Sequence, residues 1–407
     1  MSRPLDGPMR HRSSHSELLA DVQDSYVESA GGLNAIVVPS ARRASSLDLL
    51  IDLSARLGAV LVVLCSRHST VEDVADRVAR NPLAEAFMID VPKGFQLRQM
   101  PRRTAAPEFR DASGGRASDL STKRNLGLLL ARLMGWGKIA FIDDDITLTD
   151  TAVFRRLSKS LDTSNMAGMV CRDYPDNSVV CHALRLAGFH QDNFVSGAVL
   201  GVNCYDLPLT FFPDIYNEDW FFFSRAVVNH ELTSVGDATQ LPYKPFADPG
   251  RARSEEFGDL LAEGLYSLIG DAGGAALGYD ALLDLATWQF WHDWIDGRRE
   301  THEIIKSYLA DSDTVETRQA MRSLSAAEDQ LVTIKADTCV AFLDAWRADL
   351  KDWAMSSAAV NMVSDYWEAM AVLGVRKWRH AVGGDAYAGS AQRLRTRSLQ
   401  LSYSASR

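Results

Sequence analysis

Cysteine is scarce in this 407-residue chain: Cys65, Cys171, Cys181, Cys204 and Cys339 are an odd number, widely spread, with no CxxC pair. That usage speaks against a disulfide frame or a zinc site and predicts small core residues in a reducing compartment. Apolar runs long enough to cross a bilayer are missing, because Asp or Arg interrupts the longest ones. Positive charge is not in excess either: 43 Lys+Arg stand against 53 Asp+Glu, a net charge of −10. A general nucleic-acid binder would carry a basic footprint, which is absent. The opening stretch, "MSRPLDGPMRHRSSHSELLAD", lacks the apolar core of a signal peptide. The nine histidines include no HExxH spacing. The expectation is a soluble, cytoplasmic protein with no membrane span and no nucleic-acid partner.

What is present is a core. Hydrophobic residues make up 46% of the chain, enough for two domains or one large domain with an appendage. Residues 1–30 read as an N-terminal arm. From there "LNAIVVP" (33–39), "VLVVLCS" (60–66) and "AFMIDVP" (86–92) are buried-type strands, separated by the helical "SLDLLIDLSARLGA" and "TVEDVADRVARN". Strand and helix in alternation predict an α/β fold with a mainly parallel sheet covered on both faces. Residues 93–121 are rich in Gly, Pro, Ser and Arg and too long for an ordinary connection, so they read as a functional loop or a disordered one. A helix with Leu126, Leu129, Leu130 and Leu133 on one stripe then leads into a fourth strand. The α/β unit runs over 31–254. Amphipathic helices follow over 255–382, with seven of the nine tryptophans, and predict a helical C-terminal extension through which the chain could form a homo-oligomer. The Ser/Arg-rich tail, 383–407, reads as disordered.

The fourth strand poses the chemical question. "GKIAFIDDDITLTD" (137–150) drives an apolar strand into Asp143, Asp144 and Asp145. Adjacent carboxylates repel, and burial makes their charged form costlier still. In open α/β sheets ligands bind outside the carboxyl ends of the strands. Hard cations such as Mg²⁺ take one or two carboxylates plus substrate phosphates, and Mn²⁺ suits the same ligands. Asp143 and Asp145, two apart, can turn toward one ion, with Asp144 directed elsewhere. A solvated turn is the plain alternative.

"KRNLGLLLARLMGWGKIAFIDDDI" resembles the central signature of GT-A fold glycosyltransferases of the large inverting family 2 type: an Arg-Asn-x-Gly helix, a Gly-containing turn, an apolar strand and Asp-x-Asp. "FVSGAVLGVNCYDLPLTFFPDIYNEDWFFFSRAVVNH" resembles the acceptor half of that family, with a Gly-containing strand, "FP", a spacer and a Glu-Asp pair opening a helix. The resemblance covers roughly residues 33–250. It implies a Rossmann-like nucleotide-sugar-binding domain that moves a sugar from a nucleotide-diphosphate donor to a soluble small-molecule acceptor, with Mn²⁺ or Mg²⁺ held by Asp143 and Asp145. The donor-binding residues it implies are Pro39, Ser40, Asp90, Lys123, Arg124, Asn125, Asp143 and Asp144. Asp219, paired with Glu218, takes the place of the catalytic base. Helix capping by Asn217, Glu218 and Asp219, with Trp220 to Phe223 packed in the core, is the structural alternative. The acidic residue that often holds the nucleobase after the second strand is missing, since "LCSRHST" offers Cys65, Ser66 and Arg67; Asp90 stands in for it.

Three other readings remain open. "FIDDDIT" also resembles the Asp-x-Asp-x-Thr of haloacid-dehalogenase-like phosphohydrolases, with Asp143 as nucleophile and Asp145 as acid. A nucleotidyltransferase and a non-catalytic scaffold are the others. Lys244, Arg251 and Arg253 in the connecting stretch "YKPFADPGRARSEEFGD" are further candidates for phosphate contact.

Overall fold

The computed structural model describes residues 14–20, 31–147, 150–175, 177–205, 210–271 and 277–382, and the backbone of 385–390. In chain order the elements are β1 (Ala35–Ser40), α1 (Asp48–Leu57), β2 (Val60–Cys65), α2 (Val71–Val78), β3 (Glu85–Asp90), α3 (Pro107–Ala112), α4 (Leu120–Leu133), β4 (Lys138–Ile142), α5 (Thr151–Ser160), β5 (Met166–Cys171), α6 (Val179–Leu186), β6 (Val195–Asn203), α7 (Glu218–Val228) and β7 (Leu232–Ala238). Then come α8 (Pro249–Asp271), α9 (Tyr279–Leu285), α10 (Trp288–Leu309), α11 (Val315–Leu331), α12 (Ala336–Ala358), α13 (Tyr366–Val372), β8 (Lys377–Val382) and β9 (Asp385–Ser390). The strands form one sheet in the order β7-β5-β6-β4-β1-β2-β3-β8-β9. Only β6 and β8 run against the common direction.

Successive residues of a strand point to opposite faces, and here both faces are covered. Ala35, Val37, Val62, Leu64, Phe87 and Ile89 enter one core, with α4, α7, α8 and α12 over it. Ile36, Val38, Leu61, Val63, Ala86 and Met88 enter the other, under α1, α2 and α5. That is why the sequence of these strands shows near-continuous hydrophobic runs rather than alternation. The leucine stripe of α4 is buried as its spacing predicts. Gly127 allows α4 to lie directly on the sheet: a Cβ there would stand 2.8 Å from a Val37 methyl.

The chain's later part departs from the sequence reading in three places. The helical stretch begins at Pro249, and its last residues, 377–382, are a strand paired antiparallel with β3. Phe87 stacks on His380 at 4.3 Å and contacts Trp378, so an aromatic seam fixes that pairing. Within the segment read as a disordered tail, Asp385–Ser390 continues the sheet beyond β8; 383–384 and 391–407 lie outside the described residues. The loop 93–121 is anchored. Asp349 of α12 accepts from the Arg103 and Thr104 backbone N–H groups and from the Thr104 hydroxyl, and Phe109 packs edge-on against Phe342. Of the N-terminal arm, residues 14–20 are described; His15 is buried among Phe194, Trp220 and Tyr266. All five cysteines are free, and no helix of the described residues is long and apolar enough to cross a membrane.

Candidate functional site

The chain builds β1, β2 and β3 outward in one direction and then returns to place β4 on the other side of β1. Ligands of open α/β sheets bind in the crevice beyond the carboxyl ends at such a reversal. Ser40 ends β1 and Asp143 follows β4, so the three aspartates stand at that crevice.

Each aspartate has a different job. Asp143 faces Arg124, whose Nη2 donates to its two oxygens at 3.0 and 3.3 Å. Asp144 turns toward β1, where its Oδ2 accepts from the Ser40 hydroxyl at 3.1 Å and from the backbone N–H groups of Ala41 and Arg42 at 2.8 and 2.9 Å. It is a clasp between the two strand ends. Asp145 Oδ2 accepts from Arg42 Nη2 at 2.7 Å and from Gln240 Nε2 at 3.4 Å. Burial pushes the Asp145 carboxyl above its usual range, against the pull of Arg42 and the Gln240 hydrogen bond. Its Oδ1 is buried without a hydrogen-bond partner, and so is Oε1 of Gln240. Two orphaned oxygens on contacting side chains suit a hard cation, since carboxylate and amide oxygens are the ligands such ions take. The expected convergence of Asp143 and Asp145 on one ion is not what the hydrogen bonds show: Asp143 is committed to Arg124, and Asp145 shares Arg42 with Asp144.

Three consecutive residues of α4 reach three separate parts of the site, because side chains fan out by about 100° per helical residue. Lys123 sends Nζ to the Ser40 carbonyl at 2.9 Å and the Ser66 hydroxyl at 2.7 Å, with Asp119 at 3.3 Å; burial lowers its pKa. Arg124 bridges Asp143 and Glu218, donating to Glu218 Oε1 at 2.6 Å. Its guanidinium lies against β6 at Gly197, where a Cβ would sit 2.5 Å from Nη1. Asn125 instead brackets the Phe212 backbone in the loop before α7, donating to its carbonyl at 2.7 Å and accepting from its N–H at 2.9 Å. Lys123 and Arg124 therefore lie at the strand ends, as their place on the helix predicts.

Glu218 and Asp219 open α7 behind Asn217, which adopts a left-handed φ of 58° and gives its amide to Asp259 rather than to a cap. Glu218 is buried against Arg124; burial raises its pKa, opposed by the guanidinium. Asp219 Oδ2 accepts from the Gly197 N–H at 2.6 Å and Oδ1 from the Trp220 N–H at 2.9 Å, so β6 and the first turn of α7 fix its position. Phe221, Phe222 and Phe223 fill the core, as the capping alternative also requires. Pro39 is buried within β1, and Asp90 ends β3, three strands from β4 or about 14 Å by ordinary strand spacing. Asp90 is thus not gathered with the others.

The sequence reading passed over Arg42 and Gln240. Both lie on loops, and only the β1–β4 adjacency and the return of β7 bring them to Asp145. It also passed over a cavity of about 580 Å³ lined by Tyr174, His182, Arg185, Tyr243, Lys244 and Phe246. This cavity sits beyond the carboxyl ends of β5 and β7, and one segment connects it to the aspartates: Leu241 donates its N–H to the Asp145 carbonyl at 2.9 Å. Of the three connecting cations, Lys244 lines the cavity, Arg251 pairs with Glu255 and stacks over Tyr243 at 4.2 Å, and Arg253 pairs with Asp329.

Among the described residues, the three side chains whose ligand atoms all lie within 4.8 Å of one another are not the aspartates but Cys181, Asp259 and Glu263. Their partners argue against an ion there. Asp259 Oδ2 takes Arg298 at 2.5 Å and Ser178 at 2.9 Å, Glu263 takes His15 at 3.2 Å, and burial drives the Cys181 pKa far upward, so the thiol stays protonated. Arg298 already supplies Asp259 with a cationic partner.

No protein-family model matches the chain, and no curated protein sequence matches it.

Proposed function

We propose that the chain is a divalent-cation-assisted glycosyltransferase of GT-A type, moving a sugar from a nucleoside-diphosphate donor to an acceptor hydroxyl. The observation that carries this reading is the charge imbalance at the strand reversal. Asp143, Asp144, Asp145, Glu218 and Asp219 outnumber the cations that face them, with Arg42 and Arg124 in direct ion pairs, Lys123 acting on Asp144 and Arg116 on Glu218, and two buried oxygens, Asp145 Oδ1 and Gln240 Oε1, lack any donor. Such a site favours a divalent cation and, through it, a diphosphate. Mn²⁺ or Mg²⁺ held by Asp145, with Gln240 and Asp143 nearby, would neutralise the diphosphate that leaves the sugar.

The residues divide the remaining work. Asp144 fixes the loop after β1 against β4, and Lys123 ties that same strand end to Ser66, so the crevice is held open at a set width. Arg124 holds Asp143 and Glu218 in place. Asp219, held by the N–H groups of Gly197 and Trp220 at the start of α7, is the carboxylate we assign as base. The cavity lined by Tyr174, His182 and Tyr243 is of a size that suits a small acceptor. The phosphohydrolase reading requires Asp143 to attack phosphorus, whereas Arg124 engages both of its oxygens.

Calorimetric titration of UDP, GDP, ADP, CDP and dTDP, with Mn²⁺ and again with EDTA, tests the reading. At least one should bind tenfold or more tightly with the cation. Equal affinity in EDTA for every nucleotide would remove the cation-bridged site.

A further inference from the structure

We infer that Arg42 is a built-in stand-in for the cation, one that releases Asp145 when the ion arrives and then takes hold of a phosphate oxygen of the donor. The inference rests on the reading of the aspartates as a cation and diphosphate site, and it assigns a role to a residue that reading does not use.

The geometry separates Arg42 from the two carboxylates it joins. Its Nη2 lies 2.7 Å from Asp145 Oδ2 and its Nε 3.2 Å from Asp144 Oδ1. Asp144 does not depend on it, since Oδ2 is already held by Ser40 and by the backbone N–H groups of Ala41 and Arg42. Asp145 does: among the described residues its other side-chain donor is Gln240, at a long 3.4 Å. Arg42 is also the exposed member, with its side chain 46% exposed against 11% for each aspartate. A half-exposed ion pair is weak and salt-screened, so exchanging it for a divalent ion costs little. The partners that would remain, Asp145 Oδ1 and Gln240 Oε1, are the orphaned oxygens.

The departing guanidinium has a destination. Arg42 lies in the loop after β1, at the carboxyl end of the sheet where a diphosphate would rest. A planar fork of N–H donors binds phosphate in pairs. The same side chain thus lowers the affinity of the empty site for a bare cation and raises its affinity for the cation and diphosphate together. Binding of the two becomes coupled through one residue.

Arg42→Gln separates these effects because they have opposite signs. Mn²⁺ alone, followed by electron paramagnetic resonance, should bind Arg42→Gln about twofold to fivefold more tightly than the unmodified chain. Pyrophosphate at saturating Mn²⁺, a probe independent of nucleobase and sugar, should bind it about tenfold to a hundredfold more weakly, the loss of a charged hydrogen bond. Arg42→Lys keeps the charge without the fork; it should match the unmodified chain toward Mn²⁺ and fall between the two toward pyrophosphate. Equal Mn²⁺ affinity in Arg42→Gln, or undiminished pyrophosphate binding, overturns the role of Arg42. If the unmodified chain and Arg42→Gln bind Mn²⁺ and pyrophosphate alike, the cation site stands without this residue. If the unmodified chain binds no Mn²⁺ even with pyrophosphate, the site reading falls and the inference falls with it.

Discussion

Asn125 meets the Phe212 backbone edge-on, donating to its carbonyl and accepting from its N–H, much as a neighbouring strand would. Through that bracket a helix on one side of the site fixes the loop leading to Glu218 and Asp219. All the groups involved are buried. Asn125→Ala should therefore strand the N–H and carbonyl of Phe212, each at a cost of about 1–3 kcal/mol. Asn125→Asp should lose stability too, because a carboxylate facing the Phe212 carbonyl cannot donate. Urea unfolding measures both; a change below about 0.5 kcal/mol for either would show that the bracket contributes little.

This residue also marks how far the sequence could be read. Its place in an Arg-Asn-x-Gly helix was visible, but the sequence assigned it to the donor, and the contact that fixes its role spans 87 positions. Lys123 and Arg124 were legible because the resemblance named them and because the helix that leads into β4 begins at the carboxyl edge of the sheet, with both residues near its start. β1 to β4 were legible because burial on both faces leaves a continuous apolar run. Arg42 was not, since a loop residue gains its partner only from the adjacency of β1 and β4. β8 was hidden for a similar reason: "KWRHAV" is six residues after a string of helices, and its strand character comes from pairing with β3.

His182, in the wall of the aromatic cavity, supplies a pH prediction. Burial, with Arg185 and Arg251 nearby, lowers its pKa to about 4, and its Nε2 lies 2.8 Å from the Tyr243 hydroxyl. The folded-state value is depressed below the unfolded one, so the native state resists protonation that the unfolded chain accepts. The stability this group contributes is complete above about pH 6.5 and is lost as pH falls toward 4. Its size is on the order of 3 kcal/mol. His182→Gln should flatten that part of the stability–pH curve, as chemical unfolding at a series of pH values would record. An unchanged slope would mean that His182 titrates near its ordinary value.

Asp145 has the opposite linkage. Its folded-state pKa is raised, chiefly by burial, so its contribution to stability is complete below the ordinary carboxylate pKa and is lost as pH rises through the raised value. Above that raised value the folded chain bears a cost for keeping this carboxylate charged, as sites built for a ligand often do. Asp145→Asn should melt higher than the unmodified chain near neutrality and no higher in acid. The same variant should lose the cation enhancement of nucleotide binding. A lower melting temperature at pH 7 would mean that the pair with Arg42 outweighs the burial cost.

Glu218 and Asp219 are neighbours whose removal should be felt in different measurements. Glu218 is buried and shares Arg124 with Asp143. Breaking a buried ion pair from one side costs up to about 3–5 kcal/mol, because the remaining charge has lost its partner. Glu218→Ala should therefore unfold far more easily, with Arg124 still partly neutralised by Asp143. Asp219 instead rests on two backbone N–H groups, from Gly197 and Trp220. Asparagine in its place keeps an oxygen for one of them and much of the shape but cannot accept a proton. If Asp219 is the base, Asp219→Asn should stay folded and bind nucleoside diphosphate normally. Turnover should fall by about 10²–10⁴-fold, the usual worth of general-base assistance. Measuring unfolding, nucleotide affinity and product formation on the two variants separates the roles. A folded Asp219→Asn with near-normal turnover would reject Asp219 as the base. Loss of nucleotide affinity in that variant would mean instead that Asp219 shapes the donor site through Gly197 and β6.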